Sequence, residues 1–318
     1  MEYILTISMF ALGLIMIIKG GDFFVDAATW IAEISGIPKF IIGATIVSLA
    51  TTLPELVVSS IAAYRCMPDM AVGNAVGSVT ANLGLIMSIA IIFMPSKIER
   101  SSITLKSALM LLACLTIMFF TKNGFFGTVP SGILAIIFAV FIVENIHSAS
   151  YCKTCEKFRI TQKYEIPKNI FKFAAGLAGI LFGANLLVEY GKIIARDILG
   201  IPESIIAVTM VAVGTSLPEL ITTLTAISKK EASLSIGNII GANIIDMSLI
   251  LPVCSAISGG ALSISRQGIN LDLPFCLAVT AVSAVPPVIS GKFTRFQGAA
   301  LLMIYIFYMY CLIHGITA

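Results

Sequence analysis

Charge is what this chain has least of. Only 12% of its 318 residues are Asp, Glu, Lys or Arg, against about 25% in a soluble globular domain. That deficit excludes a soluble fold. Histidine is scarcer still: His147 and His314 are the only two. No nucleophile–base pair and no cofactor motif occurs, so an enzyme reading has no support and no cofactor is expected. Long polar connections are missing too. The longest, residues 149–167, reads ASYCKTCEKFRITQKYEIP. It has linker length and is too short for a soluble regulatory domain. The net charge of +3 reflects topology and gives no reason to expect a nucleic-acid partner.

What the chain has in abundance is apolar sequence, 58% of its residues. A membrane-spanning helix needs about 20 apolar residues. Ten such runs are present, at roughly 3–32, 38–64, 69–94, 102–121, 129–148, 168–195, 202–228, 232–256, 271–290 and 296–315. The first lacks a basic start and a small-residue cleavage site, so it reads as a membrane helix and not a signal peptide. The expected fold is an all-α integral membrane protein of ten transmembrane helices.

Basic residues set the orientation. With the N-terminus outside, the inner connections hold Lys39, Lys97, Arg100, Lys153, Lys157, Arg159, Lys163, Lys168, Lys229, Lys230, Lys292 and Arg295. The outer ones hold only Arg65, Lys122, Arg196 and Arg266. Both termini are therefore expected outside and the 149–167 loop in the cytoplasm of a cell-membrane protein. Of the seven cysteines, Cys114, Cys254, Cys276 and Cys311 read as small core residues. Cys152 and Cys155 form a lone C-x-x-C without the second ligand pair that zinc requires.

Within this apolar background one stretch stands out. Residues 50–56 read ATTLPEL, placing Glu55 beside Pro54 in the middle of a membrane run, and residues 214–220 read GTSLPEL. Glu55 and Glu219 are 164 residues apart. The same offset aligns Gly36-Ile37-Pro38 with Gly200-Ile201-Pro202, Thr51 with Thr215, Gly73-Asn74 with Gly237-Asn238, Gly77 with Gly241, and Asn82 with Asp246. This is an internal duplication. It divides the chain into a first five-helix repeat, 1–148, the linker 149–167, and a second repeat, 168–318. Five helices per repeat means that the second enters the membrane from the opposite side. The two are then inverted repeats, and a pseudo-twofold axis brings their midplane positions together.

A carboxylate at the bilayer centre costs about 2.5–3.5 kcal/mol even on the insertion scale. Two of them, whose flanking basic residues Lys39, Arg65, Lys229 and Lys230 lie at helix ends, call for a cation from outside the chain. Pro54 and Pro218 deprive the carbonyl four residues earlier of its helical donor, and freed carbonyls at membrane depth line cavities or bind ions. Thr51 shares a helix face with Glu55, Thr215 with Glu219, and Ser78 with Asn82, while Ala242 and Asp246 share the matching face of the twin helix. Gly73, Gly77, Gly237 and Gly241 have the spacing that lets helices approach closely. The ligand inventory is all oxygen, which suits calcium or sodium and not zinc or copper. Asp22, Asp26, Glu144 and Glu189 lie near the membrane faces and read as solvated or paired, with Lys19 and Lys192 as partners for the first helix and the sixth.

These motifs, GATIVSLATTLPEL with GNAVGSVTAN and VTMVAVGTSLPEL with GNIIGANIID, resemble the two repeats of the cation/calcium exchanger superfamily. Within it, the chain is most similar to the prokaryotic sodium/calcium exchangers. The resemblance covers essentially the whole chain. It implies an antiporter with four clustered sites, occupied alternately by calcium and sodium and requiring no oligomer. It places Glu55, Glu219, Thr51 and Thr215 around calcium. The carbonyls of Ser48 and Ala212, with Thr52, Ser78 and Ser216, would serve sodium, and Asn82 and Asp246 would border the middle. The first and sixth helices would slide across a rigid core. The chain departs from the family pattern in reading ATT for GTS in the first repeat, and in placing Ala242 where a serine is expected. The second departure leaves a proton-coupled calcium antiporter of the same fold as the alternative. A cation channel is disfavoured, because proline-broken inverted repeats suit alternating access better than a continuous pore.

Overall fold

The computed structural model describes residues 2–152, 165–194 and 216–315. It is helical apart from one two-stranded ribbon, and among the described residues nine helices are long and apolar enough to cross a membrane. In chain order these are α1 (Glu2–Ser35), α2 (Lys39–Tyr64), α3 (Pro68–Phe93), α4 (Arg100–Phe120), α5 (Thr128–Cys152) and α6 (Ile166–Ile193). After the shorter α7 (Leu217–Ser228) come α8 (Ala232–Ile257), α9 (Gly268–Ser290) and α10 (Arg295–Ile313). Of the tenth expected span, 202–228, only the part from 216 onward falls within the described residues. Strands β1 (Phe125–Phe126) and β2 (Leu262–Ser263) pair antiparallel.

The helix ends follow local chemistry. Pro68 opens α3, where a missing N–H is harmless. The Thr294 hydroxyl caps α10 by accepting from the Gln297 amide at 3.3 Å. Gly291, with φ +70°, closes α9 in the left-handed conformation that glycine adopts without strain.

The duplication read from the sequence recurs in the elements. The helical stretches Pro68–Ala81 and Ala232–Ile245 begin and end 164 residues apart, and α2 and α7 end at Tyr64 and Ser228 with the same separation. Helices α3 and α8 are the most enclosed, while α1 and α6 expose most of their apolar surface. Those two outer helices run together backbone to backbone. A Cβ on Gly20 would lie 2.8 Å from the Gly176 carbonyl oxygen, a gap only glycine fits.

Candidate functional site

Among the described residues, four of these helices carry a π-helical segment, a wider turn that interrupts the regular bonding and re-aims side chains. These segments are Gly43–Val47 in α2, Asn82–Met87 in α3, Asp246–Ile250 in α8 and Gly268–Asp272 in α9. The first ends just before Ser48; the second and third begin on Asn82 and Asp246. The irregularity expected near Pro54 thus takes the form of a wide turn upstream of it. Pro54 itself sits within continuous α-helix from Ser48 to Tyr64, and Pro218 lies in the first turn of α7.

Close helix contact holds these pieces together. A Cβ on Gly237 would sit 2.1 Å from the Phe40 carbonyl oxygen, and one on Gly241 would sit 2.4 Å from that of Ala44. Helix α8 therefore presses its backbone onto the first turns of α2. The partners that the 164-residue offset assigns to Gly73 and Gly77 fall outside the described residues. Across the same interface, the Thr51 hydroxyl lies 3.3 Å from both the Ser48 carbonyl oxygen and Asn238 Oδ1.

The structure buries Ser48, Thr51, Thr52, Glu55, Ser78, Asn82, Ser216, Glu219 and Asp246 to 2% exposure or less. Thr51 lies beside the Glu219 carboxylate. The three acids are near enough to repel one another: Glu219 and Asp246 both act on Glu55, and Glu219 acts on Asp246. Among the described residues, both carboxylate oxygens of Glu55 and of Asp246, one of Glu219, both amide atoms of Asn82, and the hydroxyls of Thr52 and Ser216 have no hydrogen-bond partner. Buried polar groups are almost always satisfied, so this concentration of unpartnered oxygens is the kind of lining a bound cation would use. Thr215 and Ala212 lie outside the described residues.

Other charges find partners elsewhere. Lys106, 1% exposed, pairs with Glu144 and lies over the Phe40 ring, 5.6 Å from its centre. Lys39 pairs with Glu231 at 2.7 Å. Asp22 and Asp26 pair with Lys229, at 3.4 and 2.8 Å, and not with Lys19 as expected, because α7 ends directly beside α1. Asp272, a further acid near the start of α9, accepts from the Tyr308 hydroxyl at 3.0 Å. Each described cation that forms an ion pair thus has an acid outside the cluster, and Glu55, Glu219 and Asp246 have none of them. Among the described residues no three His, Cys, Asp or Glu side chains form a metal-chelating group by themselves. Any ion held here must therefore draw on hydroxyl, amide and carbonyl oxygens as well.

Two supporting residues escaped sequence reasoning. Asn74 Nδ2 donates to Ser59 Oγ at 2.9 Å and reaches the Glu55 carbonyl oxygen at 3.5 Å. Asn238, its counterpart at the 164-residue offset, contacts Thr51. Their recurrence in both repeats was the available signal.

A buried cluster of oxygens on π-interrupted helices, inside a multi-pass helical membrane protein, defines an ion transporter and not an enzyme. A sequence model described as sodium/calcium exchanger protein matches residues 5–146 and 168–314, and the chain belongs to that family. The sodium/calcium exchanger MaX1 of Methanosarcina acetivorans is 28% identical over 342 residues, covering 95% of this chain and 97% of that protein. An uncharacterized membrane protein of Methanocaldococcus jannaschii, MJ0091, is 31% identical over 95% of this chain and 96% of its own length. A solved structure of the sodium-calcium exchanger NCX_Mj superposes with a TM-score of 0.83 at 29% identity, covering 96% of this chain and 98% of that one.

Proposed function

We propose that the chain exchanges sodium for calcium across the cell membrane by alternating access at the cluster around Glu55 and Glu219. The observation that carries this reading is the set of buried, unpartnered oxygens with no protein cation beside them. Calcium takes six to eight oxygens in flexible geometry. Glu55 and Glu219 supply the opposing charge, and Thr51 and Thr215 complete the shell. Sodium uses the outer oxygens: the Ser48 and Ala212 carbonyls with Thr52, Ser78 and Ser216. Asn82 and Asp246 border the centre. The two ions compete for one cluster, so each displaces the other, and that competition is what couples their fluxes. The exposed, glycine-paired α1 and α6 are the elements that slide.

Calcium uptake into proteoliposomes tests the proposal, with outward gradients of sodium, potassium and protons imposed in turn. Sodium alone is expected to drive uptake. Uptake driven by protons and not by sodium would replace the reading with proton-coupled antiport. Calcium flux without any counter-ion would indicate a channel.

A further inference from the structure

Away from the ion site, two thiols touch. Cys114 of α4 and Cys276 of α9 place their sulfurs 3.9 Å apart. Both are closed off from solvent, at 0% and 1% exposure, and both are free thiols. Cys276 also neighbours Thr80 of α3 and Thr280 of its own helix. The pair therefore sits where α4 and α9 meet the helix that carries Ser78 and Asn82. We propose that Cys114 and Cys276 form an oxidisable dithiol, whose disulfide staples α4 to α9 inside the membrane.

A disulfide needs its sulfurs at about 2.05 Å. The gap to close from van der Waals contact is therefore about 2 Å, shared between two side chains that each turn about χ1. Both S–H bonds break and one S–S bond forms. The two electrons and two protons released reduce dioxygen to hydrogen peroxide. Cys114 lies seven residues before Thr121 and Cys276 eight after Gly268. At about 1.5 Å per residue both sit roughly 10–12 Å from the helix ends nearest the β1–β2 ribbon. Dioxygen dissolves in that apolar layer, whereas a hydrophilic thiol reductant does not. The bond, once formed, is therefore shielded from hydrophilic reductants.

The test exposes the purified full-length protein in liposomes to air with copper–phenanthroline. Remaining thiols are then alkylated after denaturation, and the unreduced digest is mapped by mass spectrometry. A peptide pair joining Cys114 to Cys276 is expected, lost on reduction after denaturation, together with a higher thermal unfolding midpoint for the oxidised protein. Cys114→Ser should leave Cys276 as an alkylated thiol and remove the midpoint shift. Recovery of both Cys114 and Cys276 as alkylated thiols, under conditions that oxidise the exposed Cys66, would overturn the proposal. Linkage of Cys276 predominantly to another cysteine would overturn it as well.

Discussion

At the scale of single residues, the proposed site's chemistry turns on Glu55 and Glu219, carboxylates with which no cation among the described residues pairs. Glu55 and Glu219 are each 1% exposed, and one carboxylate cannot balance a divalent ion in so dry a place. Removing one partner of a buried charge pair costs about 2–5 kcal/mol, or roughly 30-fold to several thousandfold in binding. Glu55→Gln and Glu219→Gln, nearly isosteric, should each reduce calcium uptake to background while leaving the protein folded in detergent; near-normal uptake by either would remove it from the site. Ala242 carries a second prediction. It is fully buried on α8, one turn before Asp246, where the family pattern has a serine. On the proposed reading a sodium ion there would lack one oxygen, for which a backbone carbonyl or a water can stand in. Ala242→Ser should lower the sodium concentration that half-maximally releases calcium, and change calcium affinity less. The glutamates were legible in the sequence because an acid in an apolar run has few structural explanations. Asn74 and Asn238 were not, because an amide among small residues gives no sign of which carbonyl or hydroxyl it will meet.

At the scale of elements, the lysine in α4 shows how helices beside the site are pinned. Lys106 and Glu144 join α4 to α5, and the Lys106 ammonium faces the ring of Phe40 at the start of α2. The Phe40 carbonyl is the group against which Gly237 packs. The ion pair thus braces the same turn of α2 that α8 presses on. Breaking one partner of a buried pair costs about 3–5 kcal/mol, whereas replacing both by apolar residues is often neutral. Lys106→Met alone should therefore lower the unfolding midpoint in detergent, and Lys106→Met with Glu144→Leu should recover most of the loss. An equal loss in single and double variants would show that the pair adds nothing beyond its separate side chains. Helix existence was readable from apolar run length, and most boundaries agree within a few residues. The π segments were not readable, because a wide turn and a regular turn have the same composition and differ only in what packs around them. The Lys106–Glu144 contact was equally hidden, since its partners are 38 residues apart on different helices.

At the scale of the whole molecule, the connections sort onto two faces. On one, Lys39 meets Glu231, Ile98 donates to the Gly291 carbonyl oxygen, and Lys97 bridges Lys292. On the other, β1 pairs with β2, Ile264 donates to the Gly124 carbonyl oxygen, and the Ser258 hydroxyl reaches the Ala63 carbonyl oxygen. The first face gathers Lys39, Lys97, Arg100, Lys229, Lys230, Lys292 and Arg295, which the positive-inside rule assigns to the cytoplasm. The second holds the turn Arg65–Met67 between α2 and α3. Cys66 stands exposed in that turn, while Cys114, Cys254, Cys276 and Cys311 are buried. A membrane-impermeant maleimide added to intact cells should therefore label Cys66, and Cys66→Ser should abolish that labelling. In inside-out vesicles the same reagent should spare Cys66 and reach Cys152 and Cys155, which the basic-residue count places on the cytoplasmic side, instead. The reverse pattern would turn the molecule over in the membrane.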